Sequence, residues 1–180
     1  YVIFRIIPIA DTFRLSFYSW SILGVGNKFI GLGNYFKLFQ DKLFITALVN
    51  TTLFAVLVVS FSVAISLVLA IMLNNKRMER FSPIYELVYF LPVVTPMVPV
   101  AVMWKWIYDP QYGLLNYFLS FFGISPKAWL VYPELALYAI VIMSVWKIIG
   151  YYLMIFLVGL KNISKEYYEA ALIDGAVGGQ

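Results

Sequence analysis

Residues 46–73 read TALVNTTLFAVLVVSFSVAISLVLAIML, a run of 28 residues without one charged side chain. At about 1.5 Å of rise per residue, such a run exceeds the roughly 20 residues that cross a hydrocarbon core about 30 Å thick. Thr46–Leu73 therefore reads as a complete membrane helix with some tilt. Its polar groups are mild. Ser62, Ser66 and Ala70 recur at every fourth residue and give one narrow face of small side chains on which a second helix can pack closely.

The rest of the chain has the same character. Of 180 residues, 63% are hydrophobic, 19% aromatic and only 12% charged, far more apolar surface than a water-soluble globule can hide. The expected fold is all-α, a polytopic helical bundle forming a single transmembrane domain among membrane lipids. The net charge of +4 is dispersed, so there is no basic stripe for nucleic acid. Cysteine and histidine are both absent, which removes disulfides, Cys/His metal sites and Ser-His or Cys-His nucleophiles. No metal or organic cofactor is expected on this chain.

Two further spans follow from length and hydropathy, Pro83–Tyr108 and Glu134–Leu160. The first holds Pro92, Pro96 and Pro99 within eight residues. Each proline removes an amide donor and crowds the carbonyl four residues back, so this helix is expected to bend or break near its middle, as a static kink or as a hinge. Tyr1–Ala10 is too short to cross and reads as the outer end of a first helix. Asp11–Lys42 mixes aromatic residues with charges and glycines and reads as a loop with interfacial pieces. Lys76, Arg77 and Arg80 form the densest positive cluster, which places the turn after the first full span in the cytoplasm and Asp109–Pro133 outside. That outer loop carries an apolar interfacial helix, Leu114–Phe122. Trp104, Trp106, Tyr108, Trp129 and Tyr132 suit an aromatic belt at the same interface.

The centre of the third span holds Trp146, Lys147, Gly150, Tyr151 and Tyr152. Lys147 precedes Lys161 by fourteen residues, about 21 Å along a helix, and so falls inside the hydrocarbon zone. A charge there faces a water-filled cavity, pairs with a partner or snorkels. Trp146 and Tyr151 are five apart, about 140° around a helix, and could flank one cavity. Flat aromatic faces with polar rims suit sugar rings, although in membrane helices they also serve packing. The acidic residues Glu86, Asp109 and Glu134 fall at membrane edges with no evident partner, which leaves little acid–base chemistry for a membrane-embedded enzyme.

Beyond the last span lies Asn162–Gln180, NISKEYYEAALIDGAVGGQ. Ser164 is placed to cap a helix starting at Lys165, and Gly175 stands where that helix would stop. Tyr168, Ala171 and Leu172 share one face, while Glu166 and Glu169 turn away. A short amphipathic helix results, either a docking surface or an ordinary connecting helix.

Glu169, Ala170 and Ala171, followed after three residues by Gly175, resemble the first half of the EAA loop of the membrane permeases of ATP-binding-cassette (ABC) importers. Gly31–Asp41 (GLGNYFKLFQD), and Trp106–Ile107 with Gly113–Asn116 (GLLN), are similar to runs in the sugar permeases of that family, the maltose and glycerol-phosphate group. The resemblance covers Gly31–Ala176. It implies an ABC importer permease core of six helices. This chain would be a fragment holding the outer end of the first, three complete ones and, at Asn162–Gln180, the cytoplasmic coupling loop.

It further implies a bacterial or archaeal plasma membrane, a second permease subunit forming a heterodimer, a cytoplasmic ATPase dimer, an extracytoplasmic solute-binding protein and a sugar substrate. Glu169, Ala170, Ala171 and Gly175 would couple to the ATPase, and Trp146, Lys147, Gly150 and Tyr151 would line the substrate path. ATP would be used by the partner subunit, because the chain has no GxxxxGK[ST] phosphate loop. A secondary transporter or channel would also use a proline-broken helix and an intramembrane lysine, but has no reason for a docking helix after the third span.

Overall fold

The computed structural model describes residues 1–19, 28–75, 78 and 81–175, and omits the side chains of Lys165, Tyr168 and Leu172. Lys76, Arg77, Arg80 and the glycines at 178 and 179 lie outside the described residues. The chain forms two compact units, Tyr1–Thr52 and Leu53–Gln180.

In the first unit a π-helical turn, Val2–Ile6, leads into α1, Ile7–Leu15. The helix runs past Ala10 into the stretch expected to be loop. Thr12 Oγ1 donates to the Pro8 carbonyl at 2.7 Å, and Asp11 pairs with Arg14 one turn on at 3.5 Å. Two short antiparallel strands, β1 (Tyr18–Ser19) and β2 (Lys28–Phe29), pair with Tyr18 opposite Phe29. The GLGNYFKLFQD run then forms α2, Gly33–Gln40, after a turn in which Gly31 takes a left-handed φ of 54°. Asn34 of that run has a structural role: its Nδ2 donates to the carbonyls of Ser16 (2.8 Å) and Tyr18 (3.0 Å), tying α2 to the hairpin.

The long helix α3 spans Lys42–Leu73, one turn more than the apolar run alone. The added turn has a cap, since Asp41 Oδ1 accepts from the Leu43 amide at 2.8 Å. Further along α3, Ser62, Ser66 and Ala70 are each fully buried, the small face the sequence indicated. Ser66 Oγ donates to the Ile149 carbonyl of the last long helix at 2.8 Å. Between lipid-exposed helices there is little hydrophobic drive, so close packing and such hydrogen bonds hold the pair.

The apolar stretch 83–108 is built as two helices, α4 (Ser82–Val94) and α5 (Met97–Ile107), bent by 99°. The break falls at Thr95–Pro96, where Thr95 is extended (φ −69°, ψ 131°). Among the described residues, α3 and the later α7 (Pro133–Lys161) are long and apolar enough to cross a membrane, and the bent α4–α5 pair adds a third crossing if it counts as one span.

After α5 the chain turns at Asp109, whose Oδ1 accepts from the amides of Gln111 (2.9 Å) and Tyr112 (2.8 Å). Those two amides hold the Asp109 carboxyl below the usual aspartate range. The interfacial helix α6, Leu114–Ser120, follows. Asn116, 4% exposed, organises the loop between α5 and residue 133 around it. Its Nδ2 donates to the Lys127 carbonyl at 2.9 Å and to the Pro110 carbonyl at 3.2 Å. Its Oδ1 accepts from the Lys127 amide at 3.2 Å and from Trp129 Nε1 at 2.8 Å. Helix α7 (Pro133–Lys161) and a short α8 (Lys165–Ile173) are the last elements among the described residues.

Asn116→Leu keeps the side-chain bulk and removes every one of these bonds. It is expected to lower stability by roughly 1–3 kcal/mol for each buried group left unpaired, seen as a lower unfolding temperature in detergent with a red shift of tryptophan emission. An unchanged melt would show that the loop is held elsewhere.

Candidate functional site

Helix α7 carries the site, because its face toward α4 places one residue every turn against that helix. Gly150 is the point of closest approach. A Cβ added there would lie 1.9 Å from the Tyr89 carbonyl oxygen and 2.5 Å from its carbon, so only glycine lets the two backbones meet. Near the α7 C-terminus, Lys161 Nζ reaches Glu86 Oε1 at 3.3 Å, and Ser82 Oγ donates to the same oxygen at 2.5 Å. The acidic residue that had no evident partner in the sequence thus clamps the start of α4 to the end of α7. Leu153 and Leu157, both buried, pack between these contacts against Ala70 and Leu73 of α3.

One turn before Gly150, Lys147 points at the α4–α5 break. Its Nζ donates to the carbonyls of Pro92 (3.0 Å), Val93 (3.5 Å) and Thr95 (2.9 Å). Of the roles open to an intramembrane lysine, the structure assigns it a partner, and that partner is backbone rather than a carboxylate. Lys147 and Tyr151 also line a groove of about 540 Å³ between α3, α4 and α7, together with Phe54, Val58, Val93, Ser144 and Ile148. Tyr151, half exposed, stands against Tyr152 with ring centroids 5.6 Å apart.

Trp146 lines a different groove. It lies with Leu57, Phe61, Ile65, Val141 and Val145 in an apolar cleft of about 580 Å³ between α3 and α7. Its ring meets Trp104 of α5 edge-on at 5.5 Å, and the aromatic series continues through Tyr108 (5.2 Å) to Trp129 (6.4 Å). Tyr108 anchors the series by donating its hydroxyl to the Ala139 carbonyl at 2.8 Å. Thus the belt residues Trp104, Tyr108 and Trp129 join α5, α7 and the outer loop. Trp146 and Tyr151 do not flank one cavity within this chain, because α3 docks on α7 at Ile149 between them. Of the four residues proposed for the path, the structure brings Lys147 and Tyr151 together, sets Trp146 apart and uses Gly150 for packing. Ser144, on the wall of the Lys147 groove, had no signal in the sequence beyond its hydroxyl.

The second element is α8. Ser164 caps it as expected: its Oγ accepts from the Glu166 amide at 3.3 Å. Gly175 closes it in the left-handed conformation, φ 85°, with open space around its α-carbon. Glu169 and Ala170 are exposed and Ala171 is half-buried. The shared face proposed for Tyr168 and Leu172 rests on side chains outside the described set. Tyr167 and Ile173 are 74% and 85% exposed, an apolar surface unusual for a short polar helix.

Gly150→Val would drive two methyl groups into the Tyr89 peptide. It is expected to part α4 from α7 and cost several kcal/mol, in the upper part of the range for overpacked positions. Protease sensitivity of the turn after α3 in membranes would report it, and wild-type resistance would contradict the backbone contact.

The family described as binding-protein-dependent transport system inner membrane component matches residues 62–180. The probable ABC transporter permease protein YurN of Bacillus subtilis (strain 168) is 38% identical over 178 residues, which cover 98% of this chain and 61% of that protein. The diacetylchitobiose uptake system permease protein NgcF of Streptomyces coelicolor is 34% identical over 186 residues, covering 98% of this chain and 53% of its own length. A solved structure of a bacterial alginate ABC transporter, in complex with an alginate pentasaccharide-bound periplasmic protein, superposes with a TM-score of 0.80 at 25% identity over 98% of this chain and 58% of that one. The chain therefore spans little more than half the length of the relatives it matches. By the family match over residues 62–180, the chain belongs to the inner membrane components of binding-protein-dependent transport systems.

Proposed function

We propose that the chain is part of the membrane-spanning permease of an ATP-driven, binding-protein-dependent importer of sugars or oligosaccharides in a bacterial or archaeal plasma membrane. The observation that carries this reading is α8: a capped helix with exposed Tyr167 and Ile173, stopped by a left-handed Gly175, and set directly after the Glu86–Lys161 clamp. In a member of this family such a helix suits docking on a separate cytoplasmic ATPase, with Glu169, Ala170, Ala171 and Gly175 at the joint. Force applied there would reach α7 and, through the clamp, α4. The three spans would be α3, the bent α4–α5 pair and α7.

A second permease subunit, an ATPase dimer and an extracytoplasmic solute-binding protein would complete the assembly. The substrate class follows from the relatives named for diacetylchitobiose and for alginate. It also suits a groove in which an aromatic ring, Tyr151, and a hydroxyl, Ser144, share one wall with aliphatic side chains. A non-enzymatic role for the chain itself fits its lack of a phosphate loop, histidine and cysteine.

Gly175→Leu keeps the surface open but forces a branched side chain into the left-handed region, at a cost of about 1–2 kcal/mol. Uptake by membrane vesicles should fall roughly tenfold while the amount of inserted protein stays the same. Unchanged uptake would remove the coupling role. Purification of the full-length protein from native membrane in mild detergent should retain an ATPase and a second permease; recovery alone or as a homo-oligomer would favour a secondary transporter.

A further inference from the structure

We infer that Lys147 is a positioning residue for the α4–α5 break, its ammonium standing in for backbone hydrogens that prolines cannot supply. In an α-helix the carbonyl of residue i accepts from the amide of residue i+4. For Pro92 that amide would belong to Pro96, and for Thr95 it would belong to Pro99, and neither proline has one. Both carbonyls are therefore orphaned by the sequence itself, and broken backbone within a span must find its partners inside the protein or in a cavity. Lys147 Nζ lies 3.0 Å from the first and 2.9 Å from the second. The third near carbonyl, that of Val93, is 3.5 Å away, and its own i+4 partner, Met97, lies beyond the bend. An ammonium has three hydrogens and no acceptor, so three carbonyls match it in number and in sign.

The same arrangement makes the lysine tolerable. A charge in the hydrocarbon zone must be paired, and converging carbonyl dipoles supply that pairing without a counter-ion. A neighbouring contact repairs the last turn of α4 in the same manner, with Thr95 Oγ1 donating to the Leu91 carbonyl at 2.8 Å. Helix α5 resumes only afterwards, the Val100 amide reaching the Pro96 carbonyl at 3.5 Å. The break is thus held from α7. Where α5 leaves α4 decides where Trp104 meets Trp146, so Lys147 sets one aromatic wall of the bundle through backbone it does not share. Its hydrogens are spent on the break rather than offered to a solute.

The test reads the break directly and does not depend on the importer reading, so the two can fail separately. The described chain has no cysteine of its own. Spin labels on Leu87→Cys and Val102→Cys, positions 68% and 65% exposed on α4 and α5, report the bend by pulsed electron resonance in the assembled full-length protein. Wild type should give one narrow distance. Lys147→Met, of similar reach but with no donor, should deplete that distance by roughly tenfold for each carbonyl left unpaired. Lys147→Gln, which keeps two N–H donors and loses the charge, should retain most of it. A Met variant that superposes on wild type, or a Gln variant as disturbed as Met, overturns the inference. Should Lys147→Met not reach the membrane, adding Pro99→Ala returns an amide to the Thr95 carbonyl and is expected to recover inserted protein; no recovery would also overturn it.

Discussion

Two helix backbones touch at Gly150 and Tyr89, and most of the second unit is arranged by that contact. With no side chain between them, α4 and α7 come close enough for short connections on either side. Three residues before it in the chain, Lys147 spans to the carbonyls of the break; eleven residues after it, Lys161 spans to Glu86. These three α7 positions fall near one line on a helix of about 3.6 residues per turn, so a single face serves all of them. A larger residue at 150 would lengthen both connections at once.

The second constraint is dielectric. Where lipid replaces water, an unpaired carbonyl and an unpaired ammonium are both costly, and each removes the other's cost. This explains how three prolines within eight residues can sit between apolar helices and still give a defined 99° turn. The two buried serines of α3 differ in this respect. Ser66 spends its hydroxyl on Ile149, whereas Ser62 Oγ and Trp104 Nε1 are buried with no partner among the described residues.

Much of the architecture was legible because membranes impose length and composition. The runs at 46–73 and 134–160 form helices long and apolar enough to cross a membrane, and the spacing of Ser62, Ser66 and Ala70 named the packing face in advance. Ser164 and Gly175 marked the ends of α8 because capping is a local matter of one hydroxyl and one backbone angle. The first forty residues were less legible. There α1 and α2 are short, and the side-chain hydrogen bonds that hold them come from Thr12, Ser16 and Asn34. Asn116 was visible only as one letter of a GLLN run. Its importance lies in four hydrogen-bonding groups, 6 to 13 residues away, that converge on one amide.

The sequence by itself determined that this is a helical membrane protein, where its long helices lie, that the apolar stretch at 83–108 must break, and that a capped helix follows the last long one. These follow from composition, periodicity and the missing amide of proline, which act within a few residues. Only the tertiary structure decided which carbonyls Lys147 serves, that Trp146 and Tyr151 face different grooves, that Gly150 packs against the Tyr89 backbone, and that Glu86 has a partner 75 residues away. Each of those depends on how one helix is rotated and offset against another, and that is set by the sum of many contacts across the interface rather than by any residue's own preference.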